Sequence, residues 1–181
     1  MKPLRAALAL IFFVTSPAHA LPAPELNSLA ALQFLEGKWI GEGSSEVGKG
    51  SGFATFEQDL QGKVLVRRNH AEYPAAEGRP AYQHDDLMVI YSDAATKGMR
   101  AFYTDNEGHV IHYTVSLSPD GNTLTFLGDA ALGAPRYRLT YTRISADRMS
   151  IVLESQAAEG AAFQKIVEGK IVKTTGTATK P

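Results

Sequence analysis

The stretch MRAFYTDNEGHVIHYTVSL, residues 99–117, decides the fold. Its second arm separates into His109, Ile111, Tyr113, Val115 and Leu117 on one side and Val110, His112, Thr114 and Ser116 on the other. Alternation with a period of two is the signature of a half-buried strand, and the more apolar odd set is expected to face inward. In the first arm Met99, Ala101 and Tyr103 share a side in the same way. Between the arms, Asp105-Asn106-Glu107-Gly108 supplies residues that tolerate positive φ and favour a tight reversal. The segment therefore reads as an antiparallel hairpin.

The same punctuation extends from Lys38 to Lys173, with runs rich in Val, Ile, Tyr, Phe and Thr interrupted by Gly, Pro, Asn and Asp every 8 to 15 residues or so. About ten strands are expected: Lys38 to Ser45, Gly52 to Leu60, Lys63 to Tyr73, Asp86 to Ser92, Met99 to Asp105, His109 to Leu117, Thr123 to Gly128, Arg136 to Ile144, Arg148 to Ser155 and Phe163 to Val172. Gln61-Gly62 and Ser118-Pro119-Asp120-Gly121-Asn122 read as further tight turns, so the chain is a meander. A long meander without helices must split into two sheets or close, and closure removes the exposed edges. The expected fold is all-β, an antiparallel up-and-down β-barrel. Ahead of it, Asn27 or Ser28 caps a short N-terminal helix through Leu29, Leu32 and Leu35 that stops at Gly37 and covers one end of the barrel.

The chain starts with Lys2 and Arg5, an apolar run from Ala6 to Val14, and Ala18-His19-Ala20. This is the order of a signal peptide cleaved after Ala20, so residues 1–20 are expected to be removed and the protein to be periplasmic or secreted. Residues 21–173 form the barrel domain, with a Pro-rich lead-in from Leu21 to Glu25, and 174–181 a disordered tail. The apolar run is too short to span a bilayer as a helix, and no stable membrane insertion is expected. There is no cysteine, so disulfides and thiolate chemistry are excluded. A net charge of −1 with interspersed signs leaves no basic stripe for nucleic acid. Oligomeric state and cofactor are not specified by these residues.

Parity assigns further inward sets: Leu87, Val89 and Tyr91; Leu124 and Phe126; Tyr137, Leu139 and Tyr141; Met149, Ile151 and Leu153. Five tyrosines, Tyr91, Tyr103, Tyr113, Tyr137 and Tyr141, are then expected to point inward. A buried phenol needs a partner, so either the interior is a polar-lined cavity or each hydroxyl reaches the rim across an apolar core. The Lys63 to Tyr73 run is two-sided: Val64, Val66, Arg68, His70 and Glu72 against Leu65, Arg67, Asn69, Ala71 and Tyr73. With the first set inward, Arg68, His70 and Glu72 line the mouth; with the second inward, they make ion pairs outside.

Phosphate-loop, zinc-helix and nucleophile-elbow signatures are absent. Two clusters combine imidazole with carboxylate: His84-Asp85-Asp86 and Asp105-Asn106-Glu107-Gly108-His109. Either suits general acid–base work or metal binding, though turns demand the same residue types. Acid–base chemistry requires His84 to meet Asp86, or His109 to meet Glu72. His109 and His112 fall on opposite strand faces and cannot chelate one ion together, so no metal site is assigned.

Gly37-Lys38-Trp39-Ile40-Gly41-Glu42-Gly43 resembles the Gly-x-Trp-x-Gly-x-Gly opening of nitrobindin-like proteins, which are ten-stranded calycin-related barrels. The runs Gly62 to Asn69, His84 to Tyr91 and Asp105 to Tyr113 resemble an exported bacterial family of lipocalin-like domains of unknown function. The likeness implies a ligand-holding barrel whose base is closed by Trp39, the only tryptophan. It also implies haem held by a C-terminal histidine, from which this chain departs: its last histidine is His112. The leading expectation is a binding barrel for a small, mainly apolar ligand with a polar head, contacted by Trp39, Arg68, His70, Tyr103, His109, Tyr113, Tyr137 and Tyr141. An enzyme using histidine and carboxylate at the barrel mouth is the alternative, and a haem-binding barrel a third reading.

Overall fold

The computed structural model describes residues 28–42, 50–131 and 133–174. The expected signal segment, the 175–181 part of the tail and the 43–45 end of the first expected strand lie outside the described residues. A 3-10 helix, Leu29–Leu35, precedes ten strands: β1 (Gly37–Gly41), β2 (Ser51–Asp59), β3 (Val64–Tyr73), β4 (Tyr82–Asp93), β5 (Gly98–Asp105), β6 (Val110–Leu117), β7 (Thr123–Gly128), β8 (Arg136–Arg143), β9 (Arg148–Gln156) and β10 (Gln164–Lys173). Each is antiparallel to its sequence neighbour, and β1 pairs with β10 to close the barrel. The ten expected strands and the up-and-down closure are thus observed. Strand β4 starts at Tyr82, so His84 and Asp85 lie within the ladder rather than ahead of it.

The two halves of the interior differ. At the lower end, where the helix docks, Phe56, Met88, Ile90, Leu124, Phe126 and Met149 lose all contact with solvent. Leu32 and Leu35 of the helix are equally buried. The Trp39 indole N–H donates to the Leu35 carbonyl at 2.6 Å, fastening helix to barrel. This is a packed base, of the kind that contributes about 25 cal/mol for each Å² of apolar surface withdrawn from water. The upper end carries the loops 74–81, 106–109 and 157–163 with residues 129–131 and 133–135, and its inner face turns polar.

Two expectations about facing need correction or resolution. Leu87, Val89 and Tyr91 are not the inward set of β4; Asp86, Met88 and Ile90 are, at 8%, 0% and 0% exposure. The strand is apolar on both faces, and the charge of Asp86 argued against the parity that the barrel adopts. Four tyrosines therefore face inward, and Tyr91 lies outside beside Arg100. On β3 the second set is inside: Leu65 and Arg67 are buried, while Arg68 is exposed. His70 lies on the outer wall, its Nδ1 2.7 Å from Asp85 and its Nε2 3.3 Å from Glu72.

Candidate functional site

The β3–β4 hairpin positions the central feature. Its register sets Arg67 opposite Met88 and Asn69 opposite Asp86, which makes Arg67 and Asp86 diagonal neighbours on the inner face. Arg67 Nη1 lies 3.2 Å from Asp86 Oδ1, and Nη2 donates to Oδ2 at 3.3 Å. The side chains are 10% and 2% exposed, so this is a charged pair withdrawn from water. Burial disfavours the Arg67 charge, but Tyr141, Asp86, Tyr103 and Tyr113 outweigh it and raise its pKa. Arg67 Nε, also buried, has no hydrogen-bond partner among the described residues.

An aromatic girdle surrounds the pair. Tyr103, Tyr113, Phe126, Tyr141 and Phe56 make successive edge-to-face contacts with ring centroids 6.0–6.3 Å apart. Burial pushes the Tyr103, Tyr113 and Tyr141 phenols upward in pKa, more than the opposing Arg67 charge lowers them. They stay protonated and act as donors. The Tyr103 hydroxyl donates a hydrogen bond to Asp105 Oδ2 at 3.0 Å. Among the described residues the buried side-chain polar atoms without a hydrogen-bond partner are Arg67 Nε, Arg79 Nε and Asp86 Oδ1.

A cavity of about 150 Å³ adjoins this group, lined by Trp39, Ala54, Arg67, Asn69, Tyr141 and Ile171 among others. An apolar cavity of this order admits a benzene-sized molecule, whereas drug-sized sites run to about 300–1,000 Å³. The wall is thin at Gly52, where a Cβ would lie 2.3 Å from the His70 carbonyl oxygen. Strands β2 and β3 approach too closely there for any side chain.

Above the pair, the two histidine–carboxylate clusters meet at the barrel mouth. His84 Nε2 is 3.4 Å from Asp86 Oδ2, and its Nδ1 is 3.0 Å from Glu107 Oε1. The bond to Asp86, supported by Glu107 against the opposing effect of burial, pushes the His84 pKa up to about 9. His84 is thus a cation and a potential acid at neutral pH, not a free base. Burial works against the Asp105 charge, but the backbone and ring of His109 with the Tyr103 hydroxyl hold it below the usual carboxylate range. His109 Nδ1 sits 2.8 Å from Asp105 Oδ2. Donor atoms of His84, Asp105 and Glu107 fall within 4.8 Å of one another, a mixed nitrogen and oxygen set of the type borderline divalent ions accept.

Of the residues singled out from sequence, Tyr103, Tyr113, Tyr137 and Tyr141 are in or against the core, and Trp39 lines the cavity. His109 stands at the rim, half exposed, while Arg68 and the His70 ring belong to the outer wall. His84 meets Asp86; His109 does not meet Glu72, which pairs with His70. His112 packs outside against Phe102. Arg67, in one of the two alternative inward sets of β3, is not among the residues singled out from sequence. The available signal was an Arg and an Asp, 19 residues apart, flanking one hairpin with compatible parity.

The chain matches no protein-family model and no curated protein. Its fold and inner surface define a closed ten-strand antiparallel barrel compatible with holding a small molecule.

Proposed function

We propose that this protein is an exported, lipocalin-like binding barrel that holds a small, mainly apolar molecule with a polar head. One observation carries the reading: a cavity of about 150 Å³ has an apolar wall, with Trp39, Ile151 and Ile171, facing a buried Arg67 and Tyr141. Sites for small ligands are mostly apolar with a few convergent polar groups, as here. The haem that a nitrobindin likeness implies does not fit. A porphyrin is several times the size of this cavity, and the inner imidazole, His84, is engaged by Asp86 and Glu107. The test is native mass spectrometry of protein purified from the export compartment of its own host, followed by denaturing release. A reproducible bound small molecule, lost in a Tyr141→Ala variant, is expected; protein that is repeatedly empty, and that takes up no small aromatic probe, refutes the reading.

A second reading, acid–base chemistry at the mouth, draws on the approach of His84 to Asp86 and Tyr103. It requires a turnover that disappears in His84→Gln while benzene-sized probes still bind. Equal turnover in that variant removes it.

A further inference from the structure

We infer that the head group taken by the cavity is a carboxylate on a small apolar body, received by Arg67 Nε and Tyr141. This rests on the binding-barrel reading and narrows it to a ligand class. The reason is a buried donor left over in the cavity wall. Asp86, the buried acceptor, is already engaged: Oδ2 by Arg67 Nη2 and His84 Nε2, and Oδ1 by the charge of Arg67 Nη1 at 3.2 Å, although off the line of a hydrogen bond. One donor remains over in the cavity wall: the buried Arg67 Nε–H has no hydrogen-bond partner among the described residues, and Tyr141 lines the same cavity.

A buried donor without a partner costs about 1–3 kcal/mol, more when charged, so a ligand oxygen that accepts from it recovers that cost. A cationic head meets the Arg67 charge at short range, and Asp86 Oδ1, the buried acceptor left without a hydrogen bond among the described residues, is not part of the cavity wall. The size of the cavity sets the body: one ring or a short branched chain.

Trp39 lines the cavity and is the only tryptophan, so its fluorescence reports occupancy directly. The purified protein is titrated with benzoate, toluene and benzylamine. Benzoate is expected to bind more tightly than toluene, and benzylamine not to bind. Tyr141→Phe, which keeps the ring and removes one donor, is expected to weaken benzoate about tenfold and leave toluene unchanged. Arg67→Met with Asp86→Val, which removes the charges together so that the barrel is not left with one of them unpaired, is expected to abolish the preference for benzoate while toluene still binds. Toluene binding without benzoate, binding of benzylamine equal to that of benzoate, or an unaffected Tyr141→Phe each overturns the carboxylate assignment and leaves the binding barrel standing. Failure of all three probes overturns both.

Discussion

The Arg67–Asp86 pair makes a quantitative prediction about stability. At an effective dielectric of about 20, charges 3.2 Å apart attract by about 5 kcal/mol. Withdrawing two ions from water costs several kcal/mol each, so the pair as a whole contributes little or nothing net. Removing one member is different, because the other stays buried without compensation: the side chains are only 10% and 2% exposed. Arg67→Met and Asp86→Val should each destabilise by about 3–5 kcal/mol. For a domain of this size that lowers Tm by on the order of 10 °C. The double variant should return to within a few degrees of the parent, or rise above it, since an apolar replacement of a buried pair is often neutral or stabilising. The assay is urea unfolding followed by circular dichroism, analysed as a double-mutant cycle. A coupling below about 0.5 kcal/mol, with the two losses simply adding, would show that the pair is solvated and that the barrel interior is wetter than described.

Three further outcomes follow from other parts of the structure. His84 has its pKa raised from 6.5 to about 9, so the folded state holds a proton that the unfolded state has already released between those values. Its stabilising contribution is complete below pH 6.5 and is lost as pH rises through 9; His84→Gln should flatten stability over that window, and an NMR titration of the ring near 6.5 would contradict the arrangement. Trp39→Phe removes the bond to Leu35 and part of a fully packed indole, and should cost about 2–4 kcal/mol, read by thermal melting. In the parent, the same indole should emit as a buried fluorophore and shift red on unfolding. Gly52→Ala drives a methyl to 2.3 Å from the His70 carbonyl and should destabilise by about 1–3 kcal/mol; an unchanged Tm would mean that β2 and β3 are farther apart at the cavity wall.

Much of the barrel is legible in the sequence because its hairpins carry strong local signals. Residues 99–117 alternate cleanly, and their inward set of Met99, Ala101, Tyr113 and Val115 is buried as expected. The same holds for Leu124, Phe126, Leu139, Tyr141 and Met149. Strand β4 is the exception, since Leu87, Val89 and Tyr91 compete with Met88 and Ile90 for the core. Hydrophobic count cannot separate two apolar faces; only cross-strand register does, and it places Asp86 inside because Arg67 waits there. Charged residues at inward parity break the pattern that sequence reading relies on, which is why the polar centre was harder to see than the base. Both clusters at the mouth were visible as chemistry, whereas their meeting depends on β3, β4 and β5 lying side by side.

The joint between β1 and β10 has consequences for how the chain is made. It rests on three register pairs, Trp39 with Lys173, Ile40 with Val172 and Gly41 with Ile171. The first strand must therefore wait for the tenth to be synthesised before the hoop can shut. A chain interrupted before Ile171 presents two raw sheet margins, one on β2 or β1 and one on β9, each a template for pairing with another molecule. Integrity of β10 is thus the difference between a self-contained particle and a sticky fragment.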